Sequence, residues 1–206
     1  TGCPTYSSRL LVWRTPRPEA ETWSGRSPPR NPRREPPSSL RSVTDAVTST
    51  PFRREVRQGE FVRGDIRRPA AGSDTAVVVV HGFKGFKDWG FFPHLCDRLA
   101  EAGHTVVSFN VSRNGVGESF GEFTELDGFG ANTLTLELEE ILGVMDDVSS
   151  GGLLGRAPRR IGVVGHSRGG GQAILAAAED DRIAALATWA AVSDFDRWSD
   201  EVKARW

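Results

Sequence analysis

The sequence is short of the residues that anchor several common functions. It holds two cysteines, Cys3 and Cys96, one methionine, Met145, and four histidines in 206 residues. Two cysteines make neither a disulfide framework nor a cysteine-based metal site, and no metal-ligand cluster takes their place. No apolar run approaches the roughly 18 residues that span a bilayer. Leu10-Leu11-Val12-Trp13 is also too short for the apolar centre of a signal peptide. A formal net charge of −1 gives no electrostatic reason to expect nucleic acid or a membrane as partner. The expected compartment is the cytoplasm. The first residue is Thr1 rather than methionine, so the chain is expected to be a fragment, or a processed or engineered product.

Hydrophobic residues make up 38%, low for a compact α/β enzyme, and the deficit sits at one end. Residues 1–50 carry eight of the 12 prolines and eight arginines against four acidic residues. A stretch such as Ser27-Pro28-Pro29-Arg30-Asn31-Pro32-Arg33-Arg34 buries too little apolar surface to offset its ordering entropy. The expectation is a disordered Pro/Arg/Ser-rich extension over 1–50. It reads either as a basic polyproline docking tail or as an unstructured extension. A globular domain is expected over 51–206.

Within that domain, strands and helices alternate. Phe52 to Val56 and Gly59 to Arg68 read as two strands joined by a turn. Thr75 to Val80 is a continuous β-branched run, the mark of a central parallel strand covered on both faces. A helix from about Phe91 to Ala102, stopped by Gly103, leads to the strand His104–Asn110. Ser119 to Gly130 is irregular, with Phe120, Phe123 and Phe129 either facing a pocket or packing beneath the loop. Asn132 to Val148 sets Leu134, Leu138, Ile141, Leu142, Met145 and Val148 on one helical face. Ile183 to Val192 is another buried strand, and Ser193 heads a last helical stretch, Asp194 to Trp206. The fold class is therefore α/β, a mostly parallel sheet flanked by helices.

The chemistry centres on Ile161-Gly162-Val163-Val164-Gly165-His166-Ser167-Arg168-Gly169-Gly170-Gly171-Gln172-Ala173. An apolar strand enters a glycine-flanked turn with Ser167 at its tip, and a small-residue helix leaves it. Gly165-His166-Ser167-Arg168-Gly169 fits the nucleophile elbow G-x-S-x-G. The spacing follows from crowding: a strained serine backbone brings the residues two before and two after it together, where a Cβ would collide. The competing reading is a serine that merely caps the following helix.

A serine nucleophile needs amide donors for the oxyanion, a base, and a carboxylate that orients the base. The Arg168 amide, at the positive end of a helix, is one candidate donor. The Phe83 amide, in the loop His81-Gly82-Phe83 after the strand Thr75–Val80, is the other. His81 and His166 lie inside the two motifs as supporting residues, His94 is on a helix, and His104 begins a strand. No histidine follows Ser167, whereas the order expected for this architecture is Ser, acid, His. Asp194 and Asp196 stand either as an acid or in a capping or surface role. Cys96, in a helical pattern, reads as a small core residue.

From about residue 53 onward the chain resembles the α/β-hydrolase superfamily, and most of all bacterial members of the dienelactone-hydrolase and serine-aminopeptidase branches. The residues that carry the resemblance are Val80-His81-Gly82-Phe83-Lys84-Gly85-Phe86-Lys87-Asp88-Trp89-Gly90, Phe109-Asn110-Val111-Ser112-Arg113-Asn114-Gly115 and Gly165-His166-Ser167-Arg168-Gly169-Gly170. The resemblance implies Ser167 as nucleophile and the Phe83 and Arg168 amides as the oxyanion hole. It also implies an acid and a histidine after later strands that this chain lacks. The fold would then be an incomplete α/β-hydrolase without its last two strands, with Ile183–Val192 left as a sheet edge. A dienelactone hydrolase proper carries cysteine at the elbow, so serine favours ester, thioester or amide substrates. The expected function is acyl hydrolysis of a small-molecule substrate through a seryl-acyl intermediate, with no cofactor. The alternative is a non-catalytic module that keeps the elbow as scaffold.

Overall fold

A computed structural model describes residues 47–118, 122–196 and 199–203. The extension expected over 1–50 lies outside the described residues, except at its end. There Thr48–Thr50 already belong to strand β1, Thr48–Arg57. These residues are polar and exposed, so no apolar alternation marks them. Their order comes from the backbone ladder to β2, Glu60–Arg68, in which Thr48 faces Arg68.

β3 (Thr75–Val80), α1 (Phe92–Glu101) and β4 (Thr105–Asn110) follow, then the short α2 (Leu126–Gly130), which the sequence reading leaves as irregular chain. Next come α3 (Leu134–Ser149), β5 (Arg160–His166), α4 (Arg168–Glu179), β6 (Ile183–Trp189) and the single-turn α5 (Asp200–Lys203). Of the helix expected over 194–206, residues 194–196 and 199 are not helical and Asp200–Lys203 form α5; residues 197–198 and 204–206 lie outside the described residues. The strand expected to reach Val192 ends at Trp189, because Ala190 turns to φ 49°.

The six strands run in the order β1-β2-β4-β3-β5-β6. β2 is antiparallel to both β1 and β4, while β4, β3, β5 and β6 are parallel. From β3 the chain passes to β4 on one side, then returns to β5 on the other. That reversal opens a crevice at the carboxyl ends of β3 and β5, the usual ligand position in such sheets.

Strand alternation explains the two cores. Val78 and Val80 of β3 join Val107, Phe109, Ile161 and Val163 beneath α3 and α4. Val79 turns to the opposite face, against Phe92, Cys96, Ala100 and Val106 under α1. β6 is covered only in part: Ile183 packs on the first core and Trp189 against Phe91, while residues 184–189 stay exposed. Leu186 is 40% exposed and Trp189 60%, and an open apolar groove of about 420 Å³ runs between Leu99, Val77 and Leu186.

The loop after β4 is pinned from below by a buried carboxylate. Glu140 of α3 accepts Ser112 N at 2.7 Å and Ser112 Oγ at 2.6 Å, and it pairs with Arg57. Arg57 also binds Glu60, which Arg113 chelates through two further bonds of 3.0 and 2.6 Å. Hydrogen bonds from Arg113 and Arg57 hold the Glu60 carboxyl down at about 2. Replacing Glu140 by leucine strands the Ser112 amide and one face of Arg57. The expected loss is about 1–3 kcal/mol, the range for an orphaned buried donor. Urea unfolding of Glu140→Leu measures it, and an unchanged midpoint contradicts the role.

Candidate active site

Val80 and Gly165 are register partners at the carboxyl ends of adjacent parallel strands. The loops that leave them therefore start side by side, and the residues after β3 meet Ser167.

Ser167 sits at φ 55°, ψ −120°, and makes no side-chain bond to cap α4. The capping reading fails on both counts. A non-glycine residue at positive φ costs on the order of 1–3 kcal/mol unless its surroundings hold it. Here they do. Ser167 N donates to Trp189 O at 2.9 Å, and its carbonyl accepts from Gly170, Gly171 and Val192 amides at 3.0–3.2 Å. A Cβ on Gly165 would lie 2.5 Å from Gly169 O, and one on Gly169 would strike the His81 carbonyl and come within 2.7 Å of Val80 O. Both motif glycines are sites of close backbone approach. The next two glycines continue that contact, Gly170 facing Ala191 and Gly171 facing Val192 and Phe195.

The loop after β3 is built around one carbonyl. Gly82 O accepts Gly85 N at 3.0 Å and lies 2.9 Å from His81 Nδ1. A carbonyl only accepts, so Nδ1 carries the proton and Nε2 is bare; Nε2 is buried with no partner among the described residues. Because C=O and N–H of a trans peptide point in opposite directions, the two bonds on Gly82 O also orient the Phe83 amide. Lys84 follows at φ 55°, a strained position in this loop. Gly82 leaves only enough room for Ser167, whose Cβ would lie 3.1 Å from an added methyl.

This loop is tied to the loop after β4 by two asparagines. Asn110 Oδ1 accepts Lys87 N at 2.6 Å, while Asn114 donates to Gly85 O at 3.4 Å and accepts Val116 N at 3.1 Å. Buried Lys87 pairs with Asp65 and, at 2.6 Å, with Asp88. Phe83 stacks on Phe129 at 5.6 Å between ring centroids, and Phe129 meets Phe123 edge-on at 6.2 Å. Two of the three loop phenylalanines thus form one wall with Phe83; Phe120 lies outside the described residues.

The predicted residues come together unevenly. Ser167, Gly165, Gly169, His81 and Gly82 form one cluster through the contacts above, and Arg168, next to Ser167, lies over the Phe83 ring. His166 turns toward α1, with its ring against Phe91, Phe92 and Trp189 at 5.2–6.2 Å. His104 bonds Thr75 Oγ1 at 2.7 Å, at the opposite end of the sheet, and His94 is exposed on α1. Asp194 accepts the Asp196 amide at 2.8 Å in an exposed local turn. Burial pushes the Cys96 thiol up and leaves it a core residue. Glu137 of α3, which the sequence reading passes over, binds Arg168 through two bonds of 2.9 and 2.8 Å. Its signal was a carboxylate one turn from Glu140 on the apolar side of an amphipathic helix. Among the described residues, no cluster of three or more His, Cys, Asp or Glu is arranged to hold a metal, and no helix is long and apolar enough to cross a membrane.

Burial pushes the His81 imidazole below its ordinary value of 6.5, outweighing the Gly82 carbonyl, which favours the protonated form. Below pH 6.5 the unfolded chain gains a proton at His81 that the folded chain refuses. The stabilisation from its neutral form is therefore complete above that pH and lost progressively as pH falls. His81→Asn keeps a donor for Gly82 O and takes up no proton. Its stability, followed by urea unfolding between pH 7.5 and 5, should fall less steeply than the wild type's, by up to about 1.4 kcal/mol per pH unit. Parallel slopes contradict this.

A model of the Dienelactone hydrolase family matches residues 62–199. An uncharacterized 31.7 kDa protein from the traX-finO intergenic region of Escherichia coli is 29% identical over 133 residues, 65% of this chain and 41% of that protein. The chain thus spans about two fifths of the curated relatives it matches. Among solved structures, a dienelactone hydrolase from Anabaena variabilis ATCC 29413 superposes with a TM-score of 0.57 at 17% identity, over 70% of this chain and 64% of that one. Est1E from Butyrivibrio proteoclasticus, solved with ferulic acid bound, gives a TM-score of 0.52 at 26% identity, over 66% and 50% of the two chains. With the mixed sheet, the elbow between β5 and α4 and the profile match in agreement, the chain is an α/β-hydrolase and belongs to the dienelactone hydrolase family.

Proposed function

We propose that Ser167 is the nucleophile of a hydrolase that cleaves an ester, thioester or amide of a small molecule through a seryl-acyl intermediate. The observation that carries this is the backbone of Ser167. A strained φ of 55°, held by crowding at Gly165 and Gly169 and used for no capping bond, supports a serine placed for its hydroxyl rather than for the start of the helix. In this reading Oγ attacks the acyl carbonyl and its proton passes to a base. The carbonyl oxygen becomes an oxyanion facing the Phe83 and Arg168 amides. Collapse of the tetrahedral adduct expels the leaving group, which takes the proton back, and water then repeats the sequence on the acyl-serine.

The base and its orienting acid belong, in this proposal, to residues of the whole protein outside these 206. His81 is occupied at Nδ1 and buried at Nε2, His104 stands at the far end of the sheet, and His166 is packed among aromatic rings. The exposed side chains of Leu186 and Trp189 on the edge strand β6 and the 41% span of the curated relatives support the same view.

A fluorophosphonate probe on the full-length protein tests the nucleophile. Labelling that disappears in Ser167→Ala is the expected result, and an unlabelled wild type would instead favour a binding module. The 206 residues alone should hydrolyse an activated aryl ester several orders of magnitude more slowly than the full-length protein, since only oxyanion and binding contributions remain. Comparable Ser167-dependent rates would sink the assignment of the base to residues elsewhere.

A further inference from the structure

Arg168 occupies the first position of α4, where a positive side chain meets the positive end of the helix dipole. A cation there is unfavourable unless something offsets it. Its guanidinium forks onto Glu137, Nε to Oε2 at 2.9 Å and Nη2 to Oε1 at 2.8 Å. The Glu137 carboxylate also accepts Asn132 Nδ2 at 2.7 Å and Gln172 Nε2 at 3.3 Å. The side chains of the ion pair are only 18% and 12% exposed, for Arg168 and Glu137 respectively. Little of the fork is left for a substrate anion.

The same guanidinium lies over the Phe83 ring, 5.1 Å from its centroid. Phe83 and Arg168 are the two residues whose amides face the oxyanion in the reading above. One amide starts a helix and is fixed by it. The other sits in a loop, joined to that helix by no covalent path shorter than the whole chain between them.

The geometry points to Arg168 as a positioning residue. Its side chain, anchored on Glu137 and laid on Phe83, sets the spacing of the two oxyanion donors. The inference rests on the assignment of Ser167 and the two amides. In α/β packing terms, Glu137 of α3 supplies the fixed point, and the cation–π contact carries that position to the loop. A spacing error of about 1 Å at such donors is enough to cost on the order of 100-fold in rate.

The test uses the full-length protein with Arg168→Met, Arg168→Lys and Glu137→Gln, none of which removes a backbone amide. Methionine keeps the aliphatic stem but loses the fork and the cation. For an activated aryl ester the expected result is a kcat about 10- to 100-fold lower in Arg168→Met, with KM within about twofold. Lysine should restore part of kcat through the cation over Phe83, and Glu137→Gln should fall between. Unfolding midpoints near the wild-type value show that the fold survives. Fluorophosphonate labelling separates the two levels of failure. If the wild type is labelled at Ser167 and Arg168→Met is labelled and turns over at the same rate, the positioning role is overturned while the nucleophile stands. A raised KM with unchanged kcat also overturns it, since that marks a substrate contact. An unlabelled wild type removes the nucleophile and the positioning role together.

Discussion

The site depends on one backbone constraint, the positive φ of Ser167 between β5 and α4. That conformation is unfavourable for any side chain, and its neighbours are chosen to hold it. Gly165 and Gly169 leave no room for a methyl, and Gly170 and Gly171 let the segment after β6 close on the start of the helix. Three consecutive glycines weaken a helix by about 1 kcal/mol each relative to alanine. The cost is met by hydrogen bonds that lock the Ser167 peptide groups to Trp189, Gly170, Gly171 and Val192.

A second layer of polar contacts transmits that order outward. The Gly82 carbonyl is fixed by His81 and Gly85, and Gly85 O is held by Asn114. Asn110 holds the Lys87 amide, and Glu140 holds the base of the same β4 loop. Lys87 and Glu140 are buried charges, each paired with opposite charge. Buried ion pairs contribute little net stability but are costly to break. Their value here lies in fixing two loops against each other at the crevice.

Much of this was legible in the residues. The β-branched run Thr75–Val80 reads correctly as a strand covered on both faces, because its side chains do feed two cores. The tight turn between β5 and α4 is legible because crowding dictates glycine at fixed distances from the serine. Ile183–Val192 reads as a buried strand from its composition and as a sheet edge from the family resemblance; Ile183–Trp189 is that edge, with residues 184–189 exposed. Composition reports what a strand is suited to pack against; among the described residues no strand pairs with the outer edge of β6, which is covered only in part, by α4 and Phe91. Thr48–Thr50 and α2 escaped detection because backbone pairing and a five-residue helix leave no hydrophobic period. Asn110 and Asn114 sit in one motif and their partners, Lys87 and Gly85, in another; these bonds depend on β3 and β4 lying side by side, which the chain order does not state. Glu137 gave only its place one turn from Glu140 as a signal; its partner, Arg168, is 31 residues away on another helix.

The central claim is that the strained serine is chemically competent. The most direct measurement is to mix the full-length protein with an aryl ester whose acyl group hydrolyses slowly, quench it, and locate the acyl group by peptide mass spectrometry. One acyl group, on Ser167, is the expected result. Steady hydrolysis with no adduct there, or with the acyl group on another residue, would contradict it.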